Sequence, residues 1–215
     1  MNLGEELREF KERSMPRLPA DALAIMDRGA RELAATGMAG RAVGAGERAP
    51  EFTLPTALGE PVSLTELLAE GPVVLTFYRG AWCPYCNLAL RALQSHHEDF
   101  RARGARLVAV SPQIADESLS LAEKERLAFP VLSDLGSKVA AEYGIAFELS
   151  DELGGQYDRF GFELARVNAG HARTLPLPAT FVIDRTGVVR WAFVDTDYTV
   201  RAEPAEILAA LDALG

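Results

Sequence analysis

Cysteine is the scarcest chemically useful residue in this chain: 215 residues contain two, Cys83 and Cys86. A single pair three positions apart is no disulfide framework for a domain of this length, so its business is chemistry or metal. Histidine is nearly as scarce, at three, which leaves few nitrogen donors for a zinc ion that ordinarily takes four ligands. Basic residues are outnumbered, 22 against 31 acidic, for a net charge of −9. Such a field repels phosphate backbones and anionic lipid, so neither nucleic acid nor a membrane is expected as a partner. No apolar run approaches the roughly 20 residues that span a bilayer, and the opening Met1-Asn2-Leu3-Gly4-Glu5-Glu6 lacks the basic flank and apolar stretch of a secretory signal. The expected compartment is the cytoplasm. What remains is ordinary for a folded chain: 48% hydrophobic and 25% charged residues exclude a disordered or low-complexity polymer. The length suits one domain of about 150 to 200 residues with some chain left over.

That surplus lies at the N-terminus. Leu3, Leu7 and Phe10 share one helical face and Leu23, Met26, Ala30 and Leu33 another, predicting helices over 3–13 and 20–36 with Pro16 and Pro19 between them. Gly37, Gly40, Gly44 and Gly46 then form a joint. Residues 1–46 are therefore expected to be a helical extension of a main domain at 47–215.

The main domain alternates strands with helices. Two short strands flank Ala57-Leu58-Gly59-Glu60, and a short helix follows from Thr65. Val73 to Tyr78 is apolar, β-branched and aromatic, the pattern of a strand buried on both faces. Pro84 to about Arg103 reads as a helix and Arg106 to Ser111 as a second buried strand; this β-α-β unit implies parallel pairing. Further along, a helix over 116–127, a strand from Phe129 to Leu132 and a helix from Ser137 to Tyr143 precede a polar, glycine-bearing insertion near 148–174, expected to hold short helices. Thr180 to Asp184 and Val188 to Val194 flank Arg185-Thr186-Gly187 as a hairpin, and Pro204 to Leu214 closes the chain as a helix. The fold class is an α/β sandwich with a mixed central sheet.

The chemistry gathers where Val73–Tyr78 ends. Tyr78-Arg79-Gly80-Ala81-Trp82-Cys83-Pro84-Tyr85-Cys86 leaves a buried strand and opens a helix, the setting in which C-x-x-C reads as a redox pair. With Pro84 at the first helical position, Cys83 falls at the N-cap, where free backbone N–H groups and the helix dipole favour a thiolate. Arg79 adds positive charge nearby, and Cys86 lies one turn on, within reach of a disulfide. Cys83 is thus expected to attack and Cys86 to resolve. The strand carries no carboxylate, so a proton carrier must come from elsewhere. Trp82 and Tyr85 flank the cysteines as either core or substrate contacts.

The competing reading makes the cysteines half of a zinc site. His96 and His97 lie about 15 to 16 Å beyond Cys86 along a helix of ~1.5 Å per residue, too far to share its metal. His97 extends the apolar stripe of Cys86, Leu90, Leu93 and Phe100, which favours a partly buried histidine, and His171 reads as a surface-loop residue. Pro178, just before the Phe181 strand, is either a tolerated strand-entry proline or a cis peptide presenting backbone beside the dithiol.

Residues 47–215 resemble a thioredoxin-like redoxin, in particular a peroxiredoxin-like member of the alkyl hydroperoxide reductase/thiol-specific antioxidant (AhpC/TSA) family. The resemblance rests on Ala49-Pro50-Glu51-Phe52-Thr53-Leu54, the strand Val73–Tyr78, the cysteine region, and Ala179-Thr180-Phe181-Val182-Ile183-Asp184 with Gly187. It implies a three-layer thioredoxin-like sandwich. Laid on the family pattern, the peroxidatic cysteine falls on Cys86, its threonine on Cys83, its proline on Arg79 and its arginine on Pro178. Three of these four positions depart, and Cys83-Pro84-Tyr85-Cys86 is a tetrad typical of glutaredoxins.

Three functions therefore stand in order of expectation. The first is an antioxidant thiol–disulfide oxidoreductase cycling Cys83 and Cys86 and acting on protein disulfides. The second is a thioredoxin-dependent thiol peroxidase that reduces hydroperoxides, with Cys86 attacking, Cys83 resolving and Arg79 standing in for the lost arginine. The third is a redox-inert binding module whose cysteines hold zinc across a subunit interface. The redox readings need no cofactor and no resident metal, and take electrons from a thioredoxin- or glutathione-type donor. The N-terminal helices are candidates for a homodimer contact, unless their apolar faces pack on their own domain.

Overall fold

The computed structural model describes residues 2–115, 117 and 125–215. Its centre is a five-stranded sheet made of β3 (Val73–Phe77), β4 (Arg106–Ser111), β5 (Val131–Ser133), β8 (Ala179–Ile183) and β9 (Val189–Val194), in the order β5-β4-β3-β8-β9. β3 pairs parallel with β4 and antiparallel with β8, in the register Val73↔Arg106 and Val73↔Ile183, so the sheet is mixed. Every residue of β3 is buried. Its side chains alternate between two apolar layers, Val74 into one and Val73, Leu75 and Phe77 into the other.

On the Val74 side lie α4 (Pro84–Ser95), α5 (His97–Ala102) and the terminal α9 (Pro204–Asp212). On the opposite side lie α3 (Leu64–Glu70), α6 (Lys138–Glu142) and the hairpin of β1 (Thr53–Pro55) with β2 (Pro61–Ser63). This is the three-layer, thioredoxin-like sandwich. α3 starts where a capping box dictates, with Ser63 and Glu66 satisfying each other's backbone N–H groups.

The N-terminal helices are α1 (Leu3–Ser14) and α2 (Ala20–Ala35), joined by a 3-10 turn at Met15–Arg17. Asn2 and Glu5 form a capping box at the start of α1. Leu3 and Leu7, the face read from the sequence, are 4% and 3% exposed and enter the α4 layer, so the apolar side of α1 is spent within its own chain.

Four details differ from the sequence reading. The helix from Pro84 breaks at His96, where φ −104 and ψ 9 end α4 and begin α5. The Ser95 hydroxyl bonds the Ala92 carbonyl and the His96 ring bonds the Asp99 carboxylate three residues on, local bonds that compete with a continuous helix. β5 begins at Val131 rather than Phe129, because Pro130 has no N–H to give the ladder. The insertion holds α7 (Asp151–Arg159) and α8 (Leu164–Val167) as expected, but a small ladder of β6 (Ala146–Glu148) with β7 (Thr174–Pro176) closes its base. Three-residue strands are too short to show alternation. Lastly, the peptide before Pro178 is trans, so the cis expectation is withdrawn and strand entry accounts for this proline. The helix expected over 116–127 falls largely on residues outside those described.

Candidate active site

β3 delivers the chain to the sheet's edge, where Tyr78 N–H bonds the Val110 carbonyl and the last ladder register is spent. The next residues turn sharply. Gly80 has φ +147, and a Cβ there would overlap the Trp82 indole, so glycine lets the backbone pass under that ring. Ala81 N–H bonds Gln113 Oε1 at 2.6 Å and Asn87 Nδ2 bonds the Ala81 carbonyl at 2.9 Å, which pins the loop ahead of α4. Pro84 then occupies the first turn of α4 with Cys83 as N-cap, as the sequence indicated.

The cap is one of backbone only. The Cys83 side chain accepts no helix N–H, against the expectation that it would be the dipole-stabilised thiolate. Cys83 and Cys86 are both free thiols, 2% and 0% exposed, and their sulfurs hydrogen-bond each other. Burial raises the Cys83 thiol well above its usual range, and its bond to Cys86 and the charge there raise it further against opposing fields from Arg79 and Arg201. Burial acts on Cys86 in the same direction but is outweighed. The Cys83 thiol, the Arg201 and Arg79 guanidiniums and the Arg79 backbone N–H together hold Cys86 well below the ordinary thiol range. The surrounding charges thus favour a negative charge on Cys86 over one on Cys83. The sequence favours Cys83 as the attacking sulfur and makes it Cys86 in the peroxidase alternative.

The deciding contact comes from 115 residues away: Arg201 Nη2 donates to Cys86 Sγ at 3.0 Å. The same guanidinium is aimed by its own loop, since Nη1 bonds the carbonyls of Tyr198 and Val200, each at 2.6 Å. Asp195 and Asp197 shape that loop by accepting backbone N–H groups two residues on, at 2.7 and 2.8 Å. Sequence reasoning missed Arg201. Asp195-Thr196-Asp197-Tyr198-Thr199 could have been read as a tight turn, but nothing in it signals which sulfur the following arginine meets.

Arg79 is 3% exposed and lies over three aromatic rings, its Cζ 4.8 Å from the Trp82 centroid, 5.3 Å from Tyr157 and 4.7 Å from Tyr198. Its Nη2 bonds the Tyr157 hydroxyl at 2.5 Å, and among the described residues its Nε has no hydrogen-bond partner. Among the described residues no carboxylate pairs with Arg79, and the groups whose charge favours its guanidinium are Tyr157 first, then Cys83 and Cys86. A buried cation without an anion costs several kcal/mol, so cation and thiolate favour each other.

The remaining sequence candidates are placed as follows. Trp82 stacks on Phe162, with centroids 4.8 Å apart and planes at 29°. Tyr85 is buried between Phe10 and Tyr198, edge-on to both at 5.1 and 5.6 Å. An apolar pocket of about 310 Å³ is lined by Arg79, Trp82, Cys83, Pro84 and Tyr85. Pro178 is not among its walls; it lines a neighbouring cavity of about 740 Å³ that also touches Arg79. His97 packs on Phe129 with ring centroids 6.0 Å apart, and His171 is exposed beside Gly136. Among the described residues no three His, Cys, Asp or Glu side chains come close enough to hold a metal.

A nucleophilic sulfur with a partner thiol one turn away, at the end of a central parallel strand, marks a thiol-dependent oxidoreductase of thioredoxin-like fold. The chain belongs to the AhpC/TSA family, whose sequence model matches residues 45–192. It is 33% identical to the chloroplastic peroxiredoxin Q of Triticum aestivum, over 82% of this chain and 71% of that one. To the chloroplastic peroxiredoxin Q of Sedum lineare it is 32% identical, over 69% and 67% respectively. The crystal structure of peroxidoxin BcpB from Mycobacterium tuberculosis superposes with a TM-score of 0.64 at 27% identity, covering 80% of this chain and 99% of that one. Among the readings made from the sequence, these relatives back peroxide reduction ahead of protein disulfide exchange.

Proposed function

We propose that the protein is a thiol peroxidase in which Cys86 attacks a hydroperoxide and Cys83 resolves the product. The observation that carries this reading is the 3.0 Å contact from Arg201 to Cys86 Sγ, on the same sulfur that the Cys83 thiol approaches. The family resemblance lays its peroxidatic cysteine on Cys86, which supports this reading. Arg201 supplies the guanidinium that Pro178 cannot, and Arg79 supplies a second.

The steps balance without a further co-reactant. The Cys86 thiolate attacks the terminal oxygen of ROOH, the O–O bond breaks, and Cys86 becomes a sulfenic acid while RO⁻ departs. The Cys83 thiol protonates the alkoxide to ROH and is left as a thiolate. That thiolate attacks the Cys86 sulfur, the S–S bond forms, and hydroxide leaves to take a solvent proton as water. Charge developing on the departing oxygen lies in the field of Arg79 and Arg201, which are positioned before the reaction begins. Cys86 is fully covered and Cys83 fronts the pocket, so peroxide reaches Cys86 past the Cys83 side chain, through an opening of the first turn of α4.

A thioredoxin-type dithiol is the proposed electron donor, since it regenerates the pair by ordinary exchange. A reducing, cytoplasmic setting suits a resting state in which both thiols are free. A homodimer remains part of the proposal.

Rapid mixing with hydrogen peroxide tests the assignment. Cys86→Ser is expected to remove peroxide consumption, whereas Cys83→Ser retains a single turnover that stops at a Cys86 sulfenic acid trapped by a dimedone-type reagent. The reverse pattern, with Cys83→Ser inert and Cys86→Ser trapping a mixed disulfide on a protein substrate, would restore the disulfide-exchange reading.

A further inference from the structure

Five of the fourteen residues that line the pocket over the dithiol precede the family-matched segment. Phe10, Ser14, Met15 and Leu18 come from α1 and the turn after it, and Met26 from α2, whereas the family match begins at residue 45. Facing them are Trp82 and Phe162, stacked on each other. At about 310 Å³ the space is at the small end for ligand sites. Its walls are mostly apolar, and Cys83 is one of them.

Both flanks of this wall are fastened. Leu3 and Leu7 are buried in the α4 layer, and Glu203, at the start of α9, accepts the Leu3 and Gly4 N–H groups at 3.2 and 2.5 Å. Phe10 stands edge-on to Tyr85 at 5.1 Å. On the far side Arg28 pairs with Glu152 of α7 at 2.5 Å, and Gly29 lets α2 close on Leu153. Between the anchors, Met15–Arg17 has no buried residue. The wall is therefore a fixed frame around an apolar chamber. Hydrogen peroxide gains nothing from apolar walls, whereas an apolar substituent on the peroxide does.

We infer that the N-terminal helices are the specificity element of this enzyme, with Phe10, Met15 and Leu18 selecting a hydroperoxide that bears a compact apolar group, aryl or branched alkyl. The inference rests on the peroxidase reading for its chemistry. The apolar group sits against the N-terminal wall with its peroxide end toward Cys83 and Cys86. Attack by Cys86 breaks the O–O bond, and R–OOH leaves as R–OH after accepting the Cys83 proton.

The test uses the full chain, dithiothreitol as electron donor, and cumene hydroperoxide and hydrogen peroxide in parallel. kcat/KM for cumene hydroperoxide is expected to exceed that for hydrogen peroxide by about tenfold or more, and Phe10→Ala and Met15→Ala each to cut that ratio about tenfold. Leu18→Trp, which fills the chamber instead of emptying it, cuts the ratio as well. A ratio unmoved by all three overturns the inference. Binding gives a readout independent of turnover. The chain has two tryptophans, so in a Trp191→Phe background cumyl alcohol is expected to perturb Trp82 fluorescence, with affinity lowered by Phe10→Ala. If neither oxidant is consumed but the alcohol still binds in a Phe10-dependent way, the peroxidase reading fails and the chamber stands. If both oxidants are consumed without preference and the alcohol does not bind, the chamber fails and the peroxidase reading stands.

Discussion

The two ends of the central sheet are built on opposite terms. At the end where β3 leads into α4, polar atoms are buried without partners among the described residues: Arg79 Nε, Trp82 Nε1, Asn87 Oδ1 and Gln113 Nε2. At the other end, where β8 turns into β9, Asp184 accepts from the Thr186 N–H and hydroxyl, the Val188 N–H and Arg190 Nε, between 2.6 and 3.1 Å. Nearby, Glu70 accepts from Arg106 at 2.7 Å and its carbonyl from Arg185 at 3.0 Å. One end satisfies its polar groups and holds the strands in register; the other leaves donors and cations underused around a sulfur. Unsatisfied buried groups cost stability, so their concentration at one end marks the place where binding or chemistry is expected to use them.

This contrast makes substitutions separable: changes at the dithiol end should move reactivity more than stability, and changes at the turn the reverse. The largest expected effect is at Arg201. Arg201→Met removes both the 3.0 Å bond and a charge from Cys86, so the Cys86 pKa rises toward the ordinary thiol range. Peroxide turnover at neutral pH should fall about tenfold to hundredfold. The lowered Cys86 pKa means that reactivity holds at higher pH and declines as pH falls through that pKa; in Arg201→Met the whole profile moves to higher pH. Because oxidation to the disulfide removes the anion that Arg79 and Arg201 face, losing one cation also favours the oxidised form. The reduction potential should become more negative, by about 30 mV per tenfold in the equilibrium. Thiolate absorbance against pH and redox equilibration with a reference dithiol measure the two shifts, and a variant with an unmoved profile would remove Arg201 from the site.

Arg79→Met should have a smaller effect, about tenfold on turnover, because Arg79 acts on the sulfurs through its field and backbone while its guanidinium bonds Tyr157. Its effect on stability is expected to be near zero or favourable. Replacing a buried cation by an apolar side chain of similar reach relieves desolvation, and the three rings around it accept a methionine. Loss of several kcal/mol in denaturant unfolding would show that Arg79 holds the fold instead of serving the thiolate.

How much of this was legible in the sequence follows from the range of the interactions. Val73–Tyr78 announces itself because a strand covered on both faces must be apolar throughout, and the helix opening at Pro84 follows from local backbone rules. The capping box at Ser63 and the hairpin around Gly187 are likewise settled within a few residues. Arg201 was hidden because its contact spans 115 positions and an arginine in a polar loop carries no pattern. The choice between Cys83 and Cys86 stays open in the sequence for the same reason: N-cap position argues for Cys83, while charges from distant segments favour Cys86. The break at His96 and the β6–β7 ladder depend on side-chain bonds and short pairings that periodicity does not register.

The smallest effect sits at the well-satisfied end. Burial opposes ionisation of Asp184, but bonds from Thr186, Val188 and Arg190 outweigh it and hold the carboxyl at about 2. A carboxylate whose pKa is lower in the folded state stabilises the fold at pH above the ordinary aspartate value of 3.8, and that contribution is lost as pH falls from there toward about 2. Asp184→Ala should therefore cost about 1 to 2 kcal/mol near neutrality. For a chain of this length that lowers Tm by a few degrees, roughly 2–4 °C per kcal/mol. The gap from the parent protein should narrow at acid pH, where the parent has lost the same bonds. Peroxide turnover at ambient temperature should be unaltered, because the turn lies at the far end of the sheet from Cys86. A loss of turnover in a folded Asp184→Ala protein would mean that the two ends are coupled through β8, and that the division between a stability end and a reactive end does not hold.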